Sequence, residues 1–337
     1  TTDMLLRVPV PISAAMDNAP MTNAGSVRNR GGELLINHKN TINRFRYEVG
    51  FNVSYIQNEV TGLGTGNEPV WGAYLEEEQI VDFVTKTAVG RPIGSFFGYV
   101  TDGIFNTFEE VQQSPQYEPG KSQFEQTTLP GDFRFKDLNG DGRITAEDRT
   151  YLGSPLPDFV FGIPLMFSYA NWDLNIFLQG QTGNKVFNVM EYYLNSARGG
   201  NVYADLRDRH WSGQLEGMGR EFFELNTDNI TVPDLRSNSN ARNFRSSDFF
   251  VKDGSYLRMQ EVRLSYNFSK SVTSRLRLTD LTVYAGAYNL LTFTRYTGFD
   301  PEVGKISETE GNNLNMGVDH GNYPQARSFN IGVKITM

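Results

Sequence analysis

Cysteine is absent from the 337 residues, which removes disulfides and thiolate chemistry. No apolar run approaches the roughly 20 residues that a membrane-spanning helix needs. The start, Thr1-Thr-Asp-Met-Leu-Leu-Arg7, lacks the basic and apolar regions of a signal peptide. Positive charge is in deficit: 31 Lys and Arg face 39 acids, for a net charge of -8, which argues against a general nucleic-acid binder. Histidine is scarce. His38, His210 and His320 stand far apart, none with a ligand-spaced partner, so they read as turn, loop or interface residues. No Gly-x-Ser-x-Gly elbow, His-Glu-x-x-His pair or P-loop occurs, and catalysis finds little support. Gly62-Leu-Gly-Thr-Gly66 and Glu76-Glu-Glu78 read as turn and solvated-loop chemistry.

What is present is alternation, carried by 13% aromatic residues. Phe45, Tyr47, Val49, Phe51, Val53 and Tyr55 are apolar or aromatic, and the residues between them are polar or glycine. Such a run is as long as a tilted membrane-spanning strand, whereas soluble sandwich strands usually hold five or six residues. The same period recurs over 161–169, 174–178, 262–268 and 329–337, and more weakly over 1–8, 28–38, 80–88, 93–101 and 279–291. Ten strands result, joined alternately by short and long connections. That rhythm predicts an all-β, antiparallel transmembrane barrel with periplasmic turns and long extracellular loops, the largest being 102–158 and 183–255. A half-buried soluble sheet competes, since mean hydropathy is -0.43.

The stretch Asp137-Leu-Asn-Gly-Asp-Gly-Arg-Ile-Thr-Ala-Glu-Asp148 reads as an EF-hand-like calcium loop inside 102–158. Asp137, Asn139 and Asp141 offer oxygens at positions 1, 3 and 5, and Gly142 permits the sharp turn. Arg143 offers its carbonyl, Thr145 follows at position 9, and Asp148 closes at position 12, where the pattern has the longer Glu. An Asn-Gly-Asp-Gly turn that binds nothing is the alternative. In 183–255, segments 187–194 and 202–211 suggest short helices. Tyr192, Tyr193 and Trp211 there would stack on ligand, contact a partner, or pack the loops together.

Short signatures run through the chain in order. Thr2-Asp-Met-Leu-Leu-Arg-Val-Pro-Val-Pro11 precedes Gly25-Ser-Val-Arg-Asn-Arg-Gly-Gly-Glu-Leu34. Gly90-Arg-Pro-Ile-Gly-Ser-Phe-Phe-Gly-Tyr99 leads into Asp102-Gly-Ile-Phe105, then Pro130-Gly-Asp-Phe-Arg-Phe-Lys-Asp-Leu-Asn-Gly-Asp-Gly142. Leu152-Gly-Ser-Pro-Leu-Pro157, Gly254-Ser-Tyr-Leu-Arg-Met259, Phe299-Asp-Pro-Glu302 and Tyr323-Pro324 follow. In these the chain resembles the C-terminal barrel region of SusC/RagA-type TonB-dependent outer-membrane transporters.

The resemblance implies about the last ten strands of a 22-stranded barrel, filled in the intact protein by an N-terminal plug that engages TonB. It further implies a SusD-like lipoprotein lid, an oligosaccharide or peptide substrate, outer-membrane lipid around the wall, and no bond chemistry. Met337 departs from the family, which usually ends in an aromatic residue. The residues alone leave open an autonomous ten-stranded barrel, a calcium-stapled surface or adhesion protein, and a barrel hydrolase.

Overall fold

Phe45 and Tyr55 mark the two rims of a wall. Each sits beside a second aromatic ring across the strand pair: Phe45 stacks on Phe167 at 6.3 Å, and Tyr55 meets Phe159 at 5.1 Å. Ten steps of about 3.3 Å along a strand tilted by about 40° separate the rims by roughly 25 Å, the height of a barrel's apolar band.

The computed structural model describes all residues except 3, 8–20, 65, 78–79, 197–199, 214–227, 236–242 and 305–312. Val8, Thr65 and Glu78, each inside a segment singled out above, therefore lie outside the described residues. In chain order the strands begin with β1 (Met4–Arg7), β2 (Met21–Ile42) and β3 (Phe45–Leu63). Next come β4 (Val70–Glu77), β5 (Ile80–Thr87), β6 (Ser95–Gly98), β7 (Thr101–Ile104), β8 (Phe133–Phe135) and β9 (Thr150–Gly153). β10 (Phe159–Tyr169), β11 (Trp172–Thr182), β12 (Lys185–Asn188), β13 (Val251–Asp253) and β14 (Tyr256–Asn267) follow. β15 (Asp280–Thr294), β16 (Val318–Asp319) and β17 (Ser328–Thr336) complete the set.

The wall is an eight-stranded sheet in the order β1-β2-β3-β10-β11-β14-β15-β17, antiparallel at every pairing. Register carries the alternation from strand to strand. One transverse row reads Ile42, Phe45, Tyr169, Trp172, Tyr266, Val283 and Val333. A row on the opposite face reads Lys39, Glu48, Met166, Asn175, Arg263, Gly286 and Asn330. The apolar face is bare among the described residues: Tyr169 is 59% exposed, Ile331 84% and Phe329 73%. Apolar surface on this scale requires a cover, and lipid is the cover a barrel's outer face uses. No described helix is long and apolar enough to cross a membrane.

The count of ten wall strands is corrected to eight among the described residues. Segments 80–88 and 93–101 fold instead as β5 and β6 of a separate sheet, β4-β5-β6-β9. β6 holds four residues, all buried, and β5 buries Val84 and Thr85 next to each other. A strand covered on both sides leaves no face for lipid, and four residues fall short of the 9–11 that span it. Because the two misplaced strands are neighbours, removing them leaves the in-out parity of every other strand unchanged.

Tight turns close one end of the wall, at 43–44 and 170–171, where Asn43 and Ala170 take the left-handed conformation (φ 54° and 52°). At the other end β3, β11 and β15 run out into three excursions, 64–158, 183–255 and 295–327. These share a hydrophobic core: Leu75, Val84 and Phe96 from the first, Phe187, Tyr192 and Phe250 from the second, and Val318 from the third. Strand β16 reinforces it by pairing parallel to β12.

Candidate functional site

Within the first excursion, residues 137–148 form a chain of side-chain-to-backbone turns. Asp137 accepts from Gly140 N at 2.7 Å through Oδ1 and from Gly142 N at 2.8 Å through Oδ2. Asn139 Oδ1 accepts from Asp141 N at 2.9 Å, and Asp141 Oδ1 accepts from Arg143 N at 2.8 Å. Short Asx side chains at alternate positions are what allow this winding, and glycine supplies the left-handed conformation at 140 and 142 (φ 74° and 80°). Ile144 turns the opposite way, onto the Tyr99, Phe133 and Phe135 cluster.

Asp148 is fully buried and fastens both ends of the loop. Its Oδ1 accepts from Leu138 N at 2.9 Å and its Oδ2 from Thr145 N at 2.7 Å. Burial pushes this carboxyl up, but the Thr145, Leu138 and Asn139 backbone N–H groups outweigh it and hold it below the usual range. Glu147, which the spacing did not single out, comes within 3.4 Å of Asn139 Nδ2. Among the described residues no three His, Asp or Glu side chains converge in a metal-ligating group. Asp137, Asn139, Asp141 and Asp148 each turn side-chain oxygens onto backbone N–H groups of their own loop. Such oxygens suit calcium chemically.

The next residue, Arg149, ties this loop to the β4–β5 hairpin. Its guanidinium donates to Asp82 Oδ1 at 3.1 Å and to the Phe83 carbonyl at 2.7 Å. It also lies 5.3 Å from the ring centres of Trp71 and Phe97.

A second candidate site lies where the three excursions meet. Thr101 from the first, Glu191, Tyr203, Arg209 and Lys252 from the second, and Thr297 from the third line a cavity of about 480 Å³. Glu191 is 5% exposed and sits on the short helix Met190–Asn195, where it accepts from Asn195 Nδ2 at 2.6 Å and Thr297 Oγ1 at 2.9 Å. Lys252 Nζ lies 3.8 Å from the same carboxylate. Arg209 donates to Asp205 and stacks over Tyr203 at 5.5 Å. Burial, then the Glu191 charge, pushes the Tyr203 phenol up to about 12, so it stays a proton donor at any physiological pH. Beside the cavity, Tyr296 donates to Asp319 Oδ2 at 2.5 Å within the third excursion, and Val189 N from the second excursion donates to the Asp319 carbonyl at 2.9 Å. Hydroxyl, carboxylate, ammonium and ring groups together can bind a polar ligand by hydrogen bonds and stacking.

The large aromatics suggested by the sequence divide. Tyr192 and Trp211 are 1% exposed and pack the loops together, while Tyr193 is 44% exposed. His38 approaches Tyr47 Oη at 3.1 Å and His210 approaches the Leu206 carbonyl, in different parts of the molecule.

No family model matches the chain. Whole-chain similarity is nevertheless clear. The chain is 30% identical over 341 residues to TonB-dependent receptor P3 of Formosa agariphila, covering 99% of this chain and 31% of that receptor. It is 25% identical over 343 residues to TonB-dependent receptor SusC of Bacteroides thetaiotaomicron, covering 99% of this chain and 29% of SusC. The fold matches the RagAB peptide transporter with a TM-score of 0.69 at 21% identity, over 100% of this chain and 32% of the transporter chain. The chain therefore spans about a third of the length of these relatives. By name they are receptors and a transporter, not enzymes.

Proposed function

Proceeding from this similarity to SusC- and RagA-like TonB-dependent receptors, we propose that the chain is part of the wall and outer loops of an outer-membrane importer. The intact protein would carry a plug engaged by the TonB complex and a SusD-like lipoprotein lid over the three excursions. Oligosaccharides or peptides would enter between them. The supporting observation is the register: apolar rows on one face and polar rows on the other, repeated over eight strands whose long connections all leave from one end. A polar inner wall suits a hydrated route, and an apolar outer wall suits lipid.

Within this reading the 137–148 loop binds calcium through Asp137, Asn139, Asp141, the Arg143 carbonyl and Asp148. Calcium would stiffen the first excursion beside the lid. The site's affinity would fall in the weak extracellular range, on the order of 10⁻⁴ to 10⁻³ M. The junction cavity around Glu191 and Tyr203 would hold one unit of the arriving substrate.

The test is to extract the full-length protein from outer membranes with its neighbours. A species several times heavier than this 38.0 kDa segment, copurifying with a lipoprotein and required for oligosaccharide or peptide uptake, is expected. A species of this segment's mass, with no uptake defect on its deletion, would overturn the reading.

A further inference from the structure

A row of aromatic rings crosses the sheet β4-β5-β6-β9 in the first excursion. Tyr74, Phe83, Trp71, Phe97 and Tyr151 follow one another with centroid separations of 4.9, 6.3, 5.5 and 5.2 Å. Tyr74, Phe83 and Trp71 remain exposed. Three cations sit on this row. Lys86 Nζ lies 4.9 Å from the Trp71 ring centre and 4.3 Å from that of Phe97. The Arg149 guanidinium lies 5.3 Å from the same two rings, and that of Arg91 lies 4.5 Å from the Tyr151 ring.

Positive charge exceeds what the neighbours of these cations neutralise. Asp82 is engaged by Arg149 at 3.1 Å. Neither Lys86 nor Arg91 has an ion-pair partner among the described residues. Aromatic quadrupoles hold cations in place but carry no net charge, so the excess remains. Burial, then the Arg149 charge, pushes the Lys86 ammonium down, and an anion arriving beside it would relieve both effects. The buried Arg149 Nε has no hydrogen-bond partner.

Rings and unpaired cations together select the ligand. A peptide laid over them would bring backbone N–H groups that need acceptors once water leaves, and this surface offers them few. A sugar ring instead packs an apolar C–H face on an aromatic ring and keeps its hydroxyls at the edge, in water. Carboxylate or sulfate substituents on such rings would reach Lys86 as a point charge and Arg91 as a planar fork.

We propose that this row binds an acidic oligosaccharide, with sugar rings on Tyr74, Phe83 and Trp71 and carboxylate or sulfate groups on Lys86 and Arg91. The inference deepens the importer reading by naming an anionic solute, and it rests on that reading for where the solute goes.

Equilibrium dialysis of the full-length protein in detergent against four probes tests this. Tetragalacturonate supplies carboxylates on sugar rings, and a carrageenan tetrasaccharide supplies sulfates. The methyl ester of tetragalacturonate keeps the rings without the charge, and tetraglutamate keeps the charge without the rings. At least one acidic sugar should bind, with the ester and tetraglutamate each about tenfold weaker or more. Lys86→Gln combined with Arg91→Gln should weaken the acidic sugar by about tenfold or more and leave the ester unchanged. Tyr74→Ser, at an exposed ring, should weaken acid and ester alike by roughly threefold. Lys86→Arg, which keeps the charge, should retain the parent affinity.

Failure of both acidic sugars to bind would overturn the proposal, as would binding indifferent to the Lys86 and Arg91 changes. Tetraglutamate bound as tightly as the acidic sugars would also overturn it, since the site would then take acidic peptides. Import by a protein that binds no acidic sugar would leave the importer reading intact and remove only this inference. Binding sensitive to Lys86 and Arg91 in a protein that imports nothing would do the reverse.

Discussion

Arg258 and Asp300 meet inside the protein, Nη2 to Oδ1 at 2.6 Å, with their side chains 2% and 7% exposed. The pair locks the third excursion to the outer end of β14. Arg258 also donates to Glu302 Oε2 at 2.8 Å, and Asp300 accepts from Gln325 N at 2.9 Å, so both flanks of that excursion are held. Asp300→Ala leaves the buried guanidinium with Glu302 as its one carboxylate partner among the described residues and should destabilise the folded protein by about 2 kcal/mol. Denaturant unfolding in detergent measures this, and residues 295–304 should show the largest gain in hydrogen exchange. A cost within experimental error of zero would mean that water enters the pair.

Val49 and Asn52 test the two faces of the wall. Val49 pairs with Leu165 in an apolar row, and Asn52 pairs with Gly162 in a polar one. Val49→Arg should cost roughly 2–4 kcal/mol in a bilayer, and Asn52→Arg clearly less. Refolding into lipid vesicles at graded urea gives both numbers, and equal costs would contradict the assignment of faces.

The 137–148 loop should respond to calcium. Asp137→Ala combined with Asp141→Ala removes two oxygen donors and three of the loop's side-chain-to-backbone bonds. Protease cleavage within 102–158 should rise in this variant, and chelator should produce the same rise in the parent protein. Addition of millimolar calcium should reverse the second effect only. Cleavage indifferent to chelator would remove the metal and leave a self-sufficient turn.

Glu118 makes the first excursion sensitive to acid only at low pH. Its carboxylate accepts from the Thr127 hydroxyl and backbone N–H, then from Lys121, and these hold its value down to about 2 from 4.5. A value lowered by folding means the stabilisation is complete above 4.5, declines as pH falls below that, and is gone below about 2. Hydrogen exchange over 115–129, corrected for intrinsic rates, should stay protected at pH 3.5 relative to Glu118→Gln. The two should converge near pH 2. Convergence already at pH 4 would show that the Thr127 contacts are absent in solution.

The wall was legible where one face meets lipid and the other a polar interior, because those opposed demands write a period of two into Phe45–Tyr55 and Phe159–Tyr169. β5 and β6 misled for the converse reason. Val84 and Phe96 are buried in the loop core, so their apolar character answers to packing on both sides rather than to lipid on one. The Asx loop was readable because all its bonds are local, between residues 137 and 148. The junction cavity was not, since Thr101, Glu191, Tyr203 and Thr297 come from three excursions, and no local spacing marks residues that only the fold brings together. Trp211 and Tyr192 illustrate the same limit, as a ring in a loop looks alike in sequence whether it stacks on ligand or fills a core.

These 337 residues carry no cysteine, so single cysteines placed among them test the central claim one position at a time, with labelling of the unsubstituted full-length protein as the background. Tyr323→Cys, at a residue 90% exposed in the third excursion, and Arg44→Cys, in the β2–β3 turn, would be placed singly in the full-length protein in intact cells. A maleimide too large to pass the outer membrane should label Cys at 323 at once, and Cys at 44 only after permeabilisation. Labelling of both positions, or of 44 alone, in intact cells would contradict a wall that crosses the membrane with its three excursions outside.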